Sequence, residues 1–151
     1  MAELPVGGVR LHVQHLGDPD APGLPVVFLH GLVMDNLASW FFTSAPAVAA
    51  HTRVVLYDLR GHGRSERPAT GYGIEALVDE LIGVLDISGL DRVRLVGHSF
   101  GGTLALAAAL LHPERVGGLV LLDALVPEPG WGDRMADTLT LDADARNGVI
   151  A

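Results

Sequence analysis

The order of apolar segments along this chain predicts a three-layer α/β/α fold on a mostly parallel sheet of about six strands. VVFLH is a continuous apolar run that suits a strand covered on both faces, RVVLYDL and RVRLVG read as further buried strands, and VGGLVLL is the last clear strand. The segments between them read as helices, so strands alternate with helices in the pattern of an α/β sheet. No internal repeat or low-complexity stretch interrupts the alternation, so one domain of ordinary size is expected from 151 residues.

Taken in order, Val9 to Leu16 alternates apolar and polar residues after a Gly7-Gly8 turn, which predicts a half-exposed antiparallel edge strand. A Pro/Asp/Gly loop leads to Val26 to His30, the first buried parallel strand. Asn36 to Ala50 is helical, with Pro46 bending or restarting it, and Arg53 to Leu59 is the next buried strand. A glycine-rich loop, RGHGRSERPATGYG, follows. Ile74 to Ile87 predicts a helix with Glu75, Asp79, Glu80 and Asp86 on its wet side and Gly89 as its stop. Arg92 to Gly97 is a strand, Phe100 to Leu111 a helix ended by Pro113, and Val116 to Leu122 the last clear strand. From Pro127 onward the sequence turns acidic and loses its periodicity.

Composition narrows the function. The chain has no cysteine, which excludes disulfides, thiolate catalysis and Cys-based zinc sites. A net charge of −8 disfavours nucleic acid and anionic membranes as partners, and no apolar run has the length of a membrane span. The N-terminal residues lack the apolar stretch of a signal peptide, so the expected location is cytoplasmic. A hydrophobic share of 49% and a mean hydropathy of +0.36 are high for a domain this small, and lead us to expect an apolar surface meant for a partner.

The chemistry centres on Gly97-His98-Ser99-Phe100-Gly101-Gly102, which lies between a predicted strand and a predicted helix. A GxSxG match carries little weight alone. In a strand–turn–helix setting it is specific, because the glycines permit a sharp turn that lifts a strained serine hydroxyl clear of the sheet. Ser99 is therefore the candidate nucleophile; the competing reading is that it merely caps the helix. His30-Gly31-Leu32 ends a buried strand, and the loop there can aim the N–H of Leu32 at Ser99 while Phe100 supplies a second N–H for a developing oxyanion. His30, Gly31, His98 and Trp40 are expected to line the substrate site, and no residue pattern calls for a metal or a cofactor.

The segments HGLVMDNLASW, DLRGHGRS, LVGHSFGGTLALAAALLHPERV and GLVLLD, in this order and spacing, resemble the α/β-hydrolase superfamily over residues 9 to 124. The likeness is to its bacterial esterase, carbon–carbon hydrolase and cofactor-free haloperoxidase branch. The resemblance implies an eight-stranded sheet whose serine, acid and histidine arrive in that chain order. Residues 1–126 then correspond to the N-terminal half of the core, and residues 127–151 to the start of a cap region or a loose acidic tail. It implies a structural role for the DLRGHGRS loop, whose Asp58, Arg60 and His62 look catalytic in isolation. Asp123 matches a position that is the acid in some relatives and a strand-end hydrogen-bonding group in most. Serine at the elbow, where dehalogenases and epoxide hydrolases of this fold carry aspartate, argues against those two chemistries.

The last of seven histidines is His112, and the resemblance puts the base on a loop far beyond it. His98 neighbours Ser99 but is expected to leave the turn in another direction. Three expectations follow. The chain is one part of a serine hydrolase acting on an apolar ester, thioester or activated carbonyl, its histidine coming from a second polypeptide or the other copy of an exchanged homodimer. Alternatively it is a hydrolase-like module that binds a ligand or partner without turnover, or it is a truncated product.

Overall fold

The computed structural model describes residues 2–32 and 35–126, so the expected cap region or tail, 127–151, lies outside the described residues. Six strands form one sheet in the order β1-β2-β4-β3-β5-β6. They are β1 (Ala2–Val6), β2 (Val9–Leu16), β3 (Val26–Leu29), β4 (Val54–Tyr57), β5 (Val93–His98) and β6 (Val116–Leu122). β1 and β2 are antiparallel to their neighbours, whereas β4, β3, β5 and β6 run parallel. The predicted fold class is the one observed.

One expectation needs correction: Val9–Leu16 is not the edge. β1 pairs outside it, joined by a two-residue turn in which Gly7 and Gly8 both take positive φ, 55° and 81°, the requirement of a tight hairpin turn. β1 carries Pro5, which cannot donate to a second neighbour and so suits an outermost strand.

Alternate side chains of the parallel strands go to opposite layers. Val27, Leu29, Val55, Tyr57, Val93 and Leu95 join the core beneath α3 (Ile74–Ile87) and α4 (Phe100–Leu111). Val26, Phe28, Val54 and Leu56 face α1 (Ala38–Phe41) and α2 (Ala45–Ala49). The break between α1 and α2 falls just before Pro46, which takes a first-turn position of α2 where its missing N–H is harmless. α3 ends in paired bonds from Gly89 N to Asp86 O and from Leu90 N to Leu85 O, the C-terminal closure that a glycine stop provides.

Glu80 is a second correction. Helical spacing assigns it to the wet side of α3, yet it is 3% exposed. Arg60, arriving from the loop after β4, donates to Glu80 Oε1 through Nε (2.7 Å) and Nη2, while its Nη1 donates to the Thr70 carbonyl. Burial raises the Glu80 pKa against the opposing pull of Arg60. A charged pair held out of water is costly to break, because the survivor stays buried alone. Glu80→Ala is expected to cost about 3–5 kcal/mol of unfolding free energy by urea titration, and the double variant Arg60→Met, Glu80→Leu to recover most of it. A cost for Glu80→Ala within the roughly 0–1 kcal/mol of exposed pairs would contradict this role.

Candidate active site

The site is built where β5 turns into α4. Ser99 occupies the turn with φ 52° and ψ −120°. Those angles are close to the roughly +60° and −120° of a turn position normally given to glycine, and an L-residue held there stores about 1–3 kcal/mol. What imposes them is backbone crowding. A Cβ at Gly97 would stand 2.3 Å from the Gly101 carbonyl oxygen, and one at Gly101 would stand 2.3 Å from the Leu29 oxygen. A Cβ at Gly102 would meet the Ala124 side chain at 2.5 Å. Strand β3, the elbow and the segment after β6 are thus in close contact, and Ser99 N donates to Leu122 O at 2.9 Å.

The Ser99 hydroxyl makes no capping bond to α4, so the reading of Ser99 as a helix cap is set aside. Ser99 is half-buried, and its Cβ lies 3.5 Å from where a side chain at Gly31 would begin. Gly31 and Ser99 therefore meet across the site, with Leu32 next in the chain. Among the described residues, the N–H groups of Leu32 and Phe100 donate to no other group.

His30 sets the orientation of one of these amides. Its Nε2 accepts from the Leu59 N–H at 2.9 Å, so the proton resides on Nδ1, which donates to the Gly31 carbonyl at 2.7 Å. Because the peptide is planar and trans, drawing the Gly31 carbonyl toward His30 aims the Leu32 N–H the opposite way. His30 is fully buried, and both its nitrogens are engaged. The expectation that it lines the substrate site is corrected accordingly: it clamps the loop. Burial, the largest influence, lowers its pKa and keeps the ring neutral.

Trp40 is likewise a scaffold group, its Nε1 donating to Leu29 O at 3.2 Å and its ring 5.0 Å from that of Phe28. His98, exposed at the end of β5, has Nδ1 3.8 Å from Asp35 Oδ2 and no bond to Ser99. Asp123 follows β6 with φ 49°, one residue beyond the carbonyl that holds Ser99 N, and is exposed. All seven histidines fall within the described residues, and none is hydrogen-bonded to Ser99 Oγ.

One carboxylate of the site, Asp35, escapes the sequence reading. It accepts from the N–H groups of Gly31 (2.8 Å) and Asn36 (2.9 Å) and from the Ser39 hydroxyl. Burial pushes its pKa up, but these donors outweigh burial and hold it below the ordinary value. The only sequence signal for Asp35 is its place five residues after His30. Asp58 accepts from Leu37 N and Arg64 N, both at 2.8 Å, and so joins the loop after β3 to the one after β4. With Arg60 on Glu80 and His62 Nδ1 donating to Arg60 O at 3.0 Å, the three suggestive side chains of DLRGHGRS are all engaged in building the loop.

A three-layer α/β protein that presents a serine on a glycine-crowded strand–helix bend, facing a His-Gly loop, is the class that this geometry defines. A family model described as alpha/beta hydrolase fold matches residues 25–151, and the chain belongs to that family. It is 41% identical over 122 residues to a 2-hydroxy-6-oxo-2,4-heptadienoate hydrolase of Pseudomonas putida, covering 79% of this chain and 42% of that protein. Identity to epoxide hydrolase B of Mycobacterium tuberculosis is 39% over 127 residues, 83% of this chain and 35% of that one. Among solved structures, an enol-lactonase from Burkholderia xenovorans LB400 superposes with a TM-score of 0.73 at 32% identity, over 78% of this chain and 45% of the other. The chain thus spans less than half the length of these relatives. Among the described residues no helix is long and apolar enough to cross a membrane.

Two outcomes follow from this geometry. Ser99→Gly relieves the strained φ and is expected to be more stable than Ser99→Ala by about 1–3 kcal/mol in urea unfolding; equal stabilities would contradict strain at this position. For His30 the depressed pKa fixes the sign: below the ordinary value of 6.5 the unfolded chain takes a proton that the folded chain resists, so stability falls as pH drops through that value. Unfolding compared at about pH 7.5 and about pH 5.5 is expected to show a smaller loss in His30→Ala, which starts about 1–3 kcal/mol less stable with Leu59 N–H and Gly31 C=O unpaired.

Proposed function

We propose that this chain supplies the nucleophile half of a serine hydrolase that acts on an apolar ester, thioester or activated carbonyl compound. The observation that carries the reading is Ser99, held in a strained conformation on the strand–helix bend beside Gly31, its hydroxyl making no hydrogen bond among the described residues. Ser99 Oγ attacks the carbonyl carbon and gives its proton to a histidine. The carbonyl π electrons move to oxygen, which rests on the N–H groups of Leu32 and Phe100. Collapse expels the leaving group, which takes a proton from the imidazolium, and water then releases the acid from the acyl-serine. Every step uses protein groups, so the reaction calls for no metal or organic cofactor.

The serine also separates this reading from that of the epoxide-hydrolase relatives. Opening an epoxide with an alcohol nucleophile forms an ether that water cannot cleave, whereas a carboxylate forms a hydrolysable ester. An acyl-serine, by contrast, is itself such an ester.

No imidazole of the described residues is bonded to Ser99, and we propose that the base comes from outside these residues, from a second polypeptide or the other copy of an exchanged homodimer. The parallel edge strand supports a partner there: Val120, Leu121 and Leu122 of β6 are exposed, as are Leu125 and Val126 just beyond it. Asp123, beside the elbow, is the candidate acid that orients the incoming histidine.

Treatment of the purified native assembly with a fluorophosphonate is expected to modify the peptide bearing Ser99, and Ser99→Ala to abolish that adduct. The reactive species is expected to exceed the 15.9 kDa of one chain by native mass. Absence of an adduct would favour a hydrolase-like module that binds without turnover. Efficient turnover by a single isolated chain would overturn the external base.

A further inference from the structure

Gly31 poses a mechanical problem. A Cβ at Gly31 would stand 3.3 Å from Asp35 Oδ2, 3.3 Å from His98 Nδ1 and 3.5 Å from Ser99 Cβ, a tight fit that favours glycine there. Glycine, however, supplies the least steric control of its own φ and ψ. These two torsions fix where the following N–H, that of Leu32, points. Something other than sterics must therefore hold them.

Hydrogen bonds on both flanking peptides do so. The peptide after Gly31 is held through its carbonyl by His30, as described above. The peptide before it is held through Gly31 N–H by Asp35 Oδ2 at 2.8 Å. Asp35 is in turn fixed by Asn36 N–H and the Ser39 hydroxyl at the start of α1, and Leu37 N–H is anchored to the buried Asp58. The restraint thus runs from the core to the site through one carboxylate. His98 Nδ1, 3.8 Å from the same oxygen, brings the strand that leads into the elbow within ion-pair range of it.

We propose that Asp35 is a positioning residue for acyl transfer at Ser99, fixing the Leu32 N–H by locking the peptide on the N-terminal side of Gly31. The inference rests on the reading of Ser99 as the nucleophile. An N–H that is misaimed still permits substrate to bind but supports the oxyanion poorly, so the effect belongs in kcat.

In the native assembly, steady-state hydrolysis of a short-chain aryl ester is expected to show kcat for Asp35→Ala lowered about 10–100-fold with KM changed less than about threefold. Asp35→Asn keeps one oxygen for Gly31 N–H but loses the second acceptor, and is expected to fall between the two. Amide hydrogen exchange is expected to accelerate at Gly31 and Asn36 in Asp35→Ala. Wild-type kcat in Asp35→Ala, or unchanged exchange at Gly31, would overturn the proposal. If wild type itself shows no turnover, the nucleophile reading fails separately, and the exchange at Gly31 alone decides whether Asp35 holds the loop. Should Asp35→Ala not fold, Asp35→Asn decides by the same split: reduced kcat at constant KM supports the proposal, and wild-type kcat overturns it.

Discussion

The structure depends on one close approach, the contact of Gly97, Gly101 and Gly102 with the backbones and small side chains around them. Because the Gly101 Cα packs against the Leu29 and His30 carbonyls, α4 can begin directly over the end of β3 rather than beside it. That placement forces the chain through a tight turn at Ser99 and puts the serine opposite Gly31. Any methyl group added at positions 97 or 101 would drive the helix and strand apart by more than the turn can absorb. The strain at Ser99 is sustained by the surrounding packing of β5 and α4, whose buried faces hold Leu95, Leu104 and Ala105.

Around that contact the charged groups divide their labour. Asp35, Asp58 and the Arg60–Glu80 pair build loops, each by accepting or donating several hydrogen bonds or by pairing in the interior. His30 remains neutral because burial outweighs the carboxylates around it, and a neutral ring with one donor and one acceptor nitrogen is what bridging Gly31 O to Leu59 N requires. The site's outward groups, Ser99, His98 and Asp123, are those the loop machinery leaves available.

The sequence is most informative where one local pattern determines the outcome. Apolar runs identify β3 to β6, helical spacing marks α3, an alanine- and leucine-rich stretch stopped by Pro113 marks α4, and the glycine pair at 7 and 8 marks a turn. It misleads where long-range partners decide. Val9–Leu16 alternates like an edge strand, but its outer neighbour is a five-residue strand containing Pro5 and Glu3, too short and polar to stand out. Glu80 has the spacing of a wet-face residue until Arg60, twenty positions away in the chain, reaches it. His30 reads as a site residue and Asp35 as an ordinary loop residue; only their hydrogen bonds show that both hold Gly31 in place.

The most direct measurement is a crystal structure of the native assembly after reaction with a phosphonate ester that mimics the tetrahedral intermediate. The account predicts phosphorus bonded to Ser99 Oγ, the phosphoryl oxygen within about 3 Å of the Leu32 and Phe100 nitrogens, and an imidazole from outside this chain's residues against Oγ. Phosphorus on another side chain, or an oxygen turned away from both amides, would contradict it.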